Sequence, residues 1–119
     1  MWHKTQVISG KGRGNKIGFP TLNLSIPKNL NQDYGIYAGW IKIDQKKYKG
    51  AFHFGPIPTF LENTPVLEVF VLDHFFQDKP NVLSFSLDQK LRDIIKFEDQ
   101  KSLVKQIKND VKVTQKLIS

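Results

Sequence analysis

The chain has no cysteine, one methionine and three histidines. The missing cysteine excludes disulfide scaffolding, thiolate metal sites and cysteine nucleophiles. With only His3, His53 and His74 available, a zinc centre is not expected. No run approaches the roughly 18 apolar residues of a membrane span. The Met-Trp-His-Lys start also lacks the apolar stretch of a secretory signal. The expected setting is therefore cytoplasmic, without a membrane partner. Internal repeats and low-complexity linkers are absent too.

Acidic residues are scarce in one half only. Residues 1–60 hold nine Lys/Arg against Asp33 and Asp44, whereas residues 61–119 hold nine of each sign. The formal charge of +7 thus belongs entirely to the N-terminal half. Such an excess suits a phosphorylated ligand or a polyanion, although lysines also serve simply to keep a surface solvated. At 119 residues, 39% hydrophobic and 24% charged, the chain reads as one globular domain spanning 1–119.

The first eighty-odd residues read as short strands broken by turns. Candidate strands are Thr5–Ser9, Thr21–Ile26, Gly35–Ile43, Tyr48–Phe54, Val66–Asp73 and Val82–Leu87. Asp44 to Lys47 reads as a hairpin turn. Gly55 to Thr59 reads as a loop, because two prolines cannot both sit in a paired ladder. Leu91–Ile95 suggests a short helical turn. Beyond it the period changes: Leu103, Ile107, Val111, Thr114 and Leu117 recur every three or four residues, with Asp99 as N-cap. Lys105, Lys108, Lys112 and Lys116 cover the other side as a solvated face. The expected fold is mainly β: a closed antiparallel barrel over about 5–88, since closure removes exposed edges, followed by a helix over about 99–117.

Three groups of residues could carry chemistry. Gly10, Gly12, Gly14 and Gly18 surround Lys11, Arg13, Asn15 and Lys16. Glycines let a backbone approach a ligand and present N–H groups, while cations neutralise phosphate oxygens. The segment matches neither a P-loop nor a dinucleotide fingerprint. Thr21 and Asn23 share a strand face and offer two oxygens to a hard cation such as Mg²⁺. Glu68 sits in a strand apolar on both faces, so its carboxylate needs a partner, for which Arg92 is a candidate, or a task. His53 and His74 read as satisfied or surface histidines. Aromatic residues Tyr34, Tyr37, Trp40 and Tyr48 interleave with basic ones, as in base-stacking barrels, but core packing accounts for them equally.

Taken together, these residues resemble the riboflavin kinase (flavokinase) family, whose domain also forms the C-terminal part of bacterial bifunctional riboflavin kinase/FMN adenylyltransferases. Gly18-Phe19-Pro20-Thr21-Leu22-Asn23 is similar to the family's G-[FI]-P-T-A-N. In order follow Tyr34-Gly35-Ile36-Tyr37-Ala38, Gly55-Pro56-Ile57-Pro58-Thr59-Phe60 and Leu67-Glu68-Val69-Phe70-Val71-Leu72-Asp73. Leu91-Arg92 with Lys96-Phe97, then Leu103, Ile107 and Asp110, complete the series. The resemblance implies a six-stranded antiparallel Greek-key barrel with a C-terminal helix. It also implies transfer of the ATP γ-phosphoryl group to the 5′-hydroxyl of riboflavin, giving FMN and ADP with Mg²⁺, or alternatively Zn²⁺ or Mn²⁺.

Carried over by position, Gly10, Lys11, Gly12, Arg13, Gly14, Lys16, Gly18, Thr21 and Asn23 would bind the nucleotide. Thr21 and Asn23 would also hold the metal. Glu68 would be the base, with Arg92 as a second catalytic residue, and Leu91, Arg92 and Phe97 would meet the flavin. Small-molecule substrates, no nucleic acid and a monomer are expected. No adenylyltransferase-like segment precedes these motifs, so FMN rather than FAD is the expected product. The chain departs from the family pattern in several places: Leu22 stands for a small Ala, and Phe70 for a frequent His. Lys79-Pro80-Asn81 stands for Tyr-Gly, and Phe52-His53-Phe54 precedes Gly55 where Asn-Ile is common. These departures leave open a flavin- or nucleotide-binding relative of low activity, and, from another class, a small basic barrel for nucleic acid.

Overall fold

The structure, a computed structural model, describes residues 1–10 and 18–117. Lys11, Gly12, Arg13, Gly14 and Lys16 of the proposed phosphate loop therefore lie outside the described residues. Six strands are present: β1 (His3–Ile8), β2 (Leu22–Leu24), β3 (Gly35–Ile43), β4 (Lys46–Ile57), β5 (Glu62–Val71) and β6 (Val82–Arg92). They close into an antiparallel barrel in the order β1-β2-β5-β4-β3-β6. Strands β3, β4 and β5 are consecutive neighbours, and β2 returns by a long connection to lie beside β5, which is a Greek key. A helix, α1 (Gln100–Leu117), follows. Among the described residues no helix is long and apolar enough to cross a membrane.

Strand alternation builds the core. Leu22 and Leu24, Phe52 and Phe54, Leu67, Val69 and Val71, and Leu83, Phe85 and Leu87 all point inward and are buried. Leu22, the bulky replacement for Ala, is accommodated there, on the opposite side of its strand from Asn23. Tyr37 also joins the core, its hydroxyl donating to the Asp33 carbonyl at 2.7 Å. Tyr48 packs against it together with Phe76.

Several boundaries differ from the sequence expectation, each for a physical reason. The β3–β4 turn is tighter than Asp44 to Lys47: Asp44 and Gln45 alone take positive φ (49° and 71°), and pairing resumes at Lys46. The two-residue turn matches strand twist best. Gly55 and Pro56 belong to β4 rather than to a loop, because a bulge between Gly55 and Ile57 leaves Pro56 out of the ladder. Gly55 itself has φ 133°, and a Cβ there would crowd Ile94 and Tyr34. The helical turn expected at Leu91–Ile95 is absent, since β6 continues through Arg92 by pairing with β3. Asp99 caps α1 as expected, its Oδ1 accepting the Ser102 N–H at 2.7 Å.

Candidate active site

The same alternation that fills the core pushes a second set of side chains onto the outer wall. In antiparallel sheets, residues directly opposite one another share a face. Asn23 pairs with Glu68 across β2 and β5, and Glu68 pairs with His53 across β5 and β4. His53 pairs with Ile36 across β4 and β3, and Ile36 with Arg92 across β3 and β6. Asn23, Glu68, His53, Ile36 and Arg92 therefore form one transverse row over five strands. At about 4.8 Å per strand, it runs about 19 Å around the barrel.

Glu68 consequently lies on the outside of the barrel. Its neighbours Leu67 and Val69 are the buried pair. The outer face of β5 is nevertheless partly apolar, because Phe70 lines a cleft beside α1, which packs over β3 and β4. Leu103, Ile107 and Val111 of the helix line this cleft together with Thr21, Phe70, His53 and Glu68. Phe19 packs edge-on to Phe70 at the cleft wall, ring centroids 5.3 Å apart. A second cleft opens on the other side of Glu68, where polar Ser9, Asn23, Ser25 and Glu62 alternate with apolar residues such as Ile8, Ile26 and Val66, and Gly10 lies at its edge. Glu68 borders both.

Thr21 and Asn23 are thus brought to Glu68 from two sides, Thr21 in the helix-side cleft and Asn23 in the other. Gly10 closes tightly on Asn23: a Cβ at position 10 would overlap the Asn23 amide, which is why the chain needs glycine there. Gly18 has φ 86° with open space around it. Among the described residues no cluster of three His, Asp or Glu side chains is placed to hold a metal. The oxygen donors flanking Glu68 are instead the hydroxyl of Thr21 and the amide of Asn23, which suit Mg²⁺ rather than zinc.

Arg92 does not take Glu68 as its ion-pair partner in the structure. Its Nε and Nη2 donate to Asp110 Oδ1 and Oδ2 at 3.0 and 2.8 Å, and Gln106 donates to the same carboxylate at 3.1 Å. This fork-like pair is largely buried and ties α1 to the end of the row. The Arg92 guanidinium also sits over the Phe97 ring at 5.8 Å. Phe97 is fixed by its own N–H, which donates to Thr59 Oγ1 at 3.0 Å. Leu91, one residue before Arg92, sits at a bulge where the β3–β6 register shifts, and it lines neither cleft.

Two residues of the site went unmarked in the sequence. Asp110 appeared only as a motif position, although a carboxylate on the apolar stripe of a helix demands a partner. His53 read as an ordinary histidine, yet it stands between the core residues Phe52 and Phe54 and so must face outward, into the row. Its Nε2 lies 2.9 Å from the Pro56 carbonyl and 3.1 Å from that of Gly55. Two acceptors at one nitrogen require that Nε2 carry the proton. Burial, reinforced by the nearby Arg92 charge and opposed by those two hydrogen bonds, lowers its pKa below the ordinary histidine value.

Fold and site together define a Greek-key barrel with a helix-roofed cleft on its outer wall. The family model for riboflavin kinase (flavokinase) matches residues 2–118, and the chain belongs to that family. The bifunctional riboflavin kinase/FMN adenylyltransferase of Buchnera aphidicola (subsp. Schizaphis graminum) is 29% identical, covering 93% of this chain and 36% of the relative. That of Bacillus subtilis is 32% identical over 87% of this chain and 34% of the relative. An RNA-binding riboflavin kinase, RibR, also of Bacillus subtilis, is 31% identical over 88% of this chain and 46% of its own length. The chain thus spans between about a third and a half of these relatives. Among solved structures, a macrolide-efflux protein from Streptococcus pneumoniae superposes with a TM-score of 0.84 at 28% identity, over 97% of this chain and 38% of that one.

The Arg92–Asp110 pair yields a direct expectation. Asp110→Ala leaves a mostly buried guanidinium unpaired and is expected to cost about 3 kcal/mol in urea unfolding. An unchanged midpoint would show that α1 is held by its apolar stripe alone.

Proposed function

We propose that the protein transfers the γ-phosphoryl group of ATP to the 5′-hydroxyl of riboflavin, giving FMN and ADP. The observation that carries this reading is the position of Glu68 at the junction of two clefts of different character. The helix-side cleft, walled by Phe19, Phe60, Phe70, Leu103 and Ile107, suits a broad, partly apolar isoalloxazine ring. Arg92 lines this cleft, and Phe97 lies under its guanidinium in an adjoining pocket with Pro58, Thr59 and Ile95. The cleft around Gly10 and Asn23 suits phosphates, with Lys11, Arg13 and Lys16 of the adjoining glycine-rich segment as neutralising charges. A ribityl chain running from the first cleft toward the second passes Glu68.

Phosphoryl transfer asks the protein mainly for alignment and charge neutralisation. In this reading Glu68 accepts a hydrogen bond from the 5′-hydroxyl and so orients its oxygen toward the γ-phosphorus. A carboxylate is too weak a base to ionise an alcohol beforehand, so Glu68 takes the proton late, as the new P–O bond forms. Thr21 and Asn23 would hold Mg²⁺, with Zn²⁺ or Mn²⁺ as alternatives; when bound, the ion neutralises phosphate charge. Asn23 is held in place by Gly10, and Thr21 follows Pro20, whose fixed φ limits the freedom of the approach to β2. The substrates are small molecules, and the working unit proposed is a monomer.

Glu68→Gln keeps the shape and hydrogen-bonding capacity of the side chain but removes the proton acceptor. Riboflavin binding, read by fluorescence quenching, and ATP binding are expected to persist. FMN formation is expected to fall by about 10²–10⁴-fold. A variant that turns over at the wild-type rate would end the Glu68 assignment.

One observation favours a second reading. At the β3–β4 hairpin, Lys42 lies 4.5 Å over Trp2, and Lys47 lies 5.0 Å over Trp40, an aromatic and cationic cluster away from the Glu68 row. One relative is described as RNA-binding. If this cluster binds single-stranded RNA, oligonucleotide affinity falls steeply with salt, with a log–log slope of about −0.7 per phosphate contacted. Affinity absent at low salt removes that reading and leaves the kinase reading untouched.

A further inference from the structure

Resting on the Glu68 reading above, we propose that His53 is a positioning residue of the transfer step. Its Nδ1 accepts a hydrogen bond from the Glu68 carboxyl once that group has taken the ribityl proton.

Three observations lead there. First, His53 and Glu68 are direct cross-strand partners and line the same cleft. Such pairs hold their Cβ atoms about 4.5–5.5 Å apart, within reach for two polar side chains. Second, the hydrogen bonds of the His53 ring to Gly55 and Pro56 are both made at Nε2. Burial and the Arg92 charge keep the ring neutral at neutral pH. With the proton fixed on Nε2, Nδ1 is an acceptor with no hydrogen of its own. Third, Phe70, two residues along the same face of β5, supplies no polar atom and is committed to Phe19. The imidazole beside Glu68 comes from β4.

The step balances without a net charge on His53. The 5′-oxygen bonds the γ-phosphorus, its O–H bond breaks, and the proton passes to a Glu68 oxygen. The β–γ bridging oxygen leaves with its electron pair as part of ADP. Glu68, ionised before transfer, has nothing to donate to Nδ1. Protonated after transfer, it gains a donor that the neutral ring can meet, so the pair favours the late side of the reaction over the early side. An interaction stronger late than early acts on kcat rather than on substrate binding.

Two conservative substitutions separate this role from a structural one. An Asn amide overlays the Nδ1 edge of the ring, and a Gln amide reaches the Nε2 edge. His53→Asn therefore keeps an acceptor toward Glu68 and loses the tie to the Gly55–Pro56 carbonyls. His53→Gln does the reverse. His53→Asn is expected to melt earlier than the wild type while keeping kcat within about threefold. His53→Gln is expected to keep the melting midpoint but lose about tenfold in kcat, with both KM values within about twofold. In a Glu68→Gln background the His53→Gln change is expected to cost nothing further.

Full kcat in His53→Gln, or loss of stability and rate together in both variants, overturns the His53 role while wild-type FMN formation still stands. A wild type that forms no FMN ends the kinase reading and this role with it.

Discussion

Cross-strand register is the constraint on which the site depends. A barrel wall places residues on one face in transverse rows, and one such row here carries Asn23, Glu68, His53, Ile36 and Arg92. These residues are far apart in sequence and come from five strands. A slip of one residue in any of the pairings would turn a member inward and break the row. The core guards against this, because the same slip would expose Phe52 and Phe54 or Leu67 and Val69. Stability of the interior and geometry of the exterior are therefore one requirement.

The helix completes what the barrel begins. Its apolar stripe roofs the row and turns an open sheet face into a cleft, and the Arg92–Asp110 pair fixes its position at one end. The helix lies over β3 and β4 and not over β2, which is why the two sides of Glu68 differ. Toward α1 the surroundings are mainly aromatic and aliphatic; toward Gly10 and Asn23 the polar side chains of Ser9, Asn23, Ser25 and Glu62 join the apolar ones. A carboxylate at such a boundary can meet an apolar ring system on one side and charged phosphates on the other.

Much of the fold was legible in the sequence. Alternation in Leu22-Asn23-Leu24 and in Phe52-His53-Phe54 fixes inward and outward faces, and the change to a period of three to four residues marks α1. What could not be read follows from tertiary context. Both faces of β5 carry apolar residues, one for the core and one for the cleft beside α1, so alternation alone could not say that Glu68 points outward. Arg92 finds Asp110, eighteen residues later, only because β6 and α1 meet in space. Pro56 argued against a strand, and only the bulge at Gly55 reconciles it with one. His53 carried a usable signal, its place between two buried phenylalanines, but its neighbour across the sheet depended on register.

The most direct measurement of the account is a crystal structure with Mg²⁺, ADP and FMN bound. The isoalloxazine ring is expected between α1 and the barrel, the ADP phosphates beside Gly10 and Asn23, and the FMN phosphate ester within hydrogen-bonding reach of Glu68. Both ligands on one side of Glu68, or an FMN phosphate remote from it, would contradict the claim that this row organises the reaction.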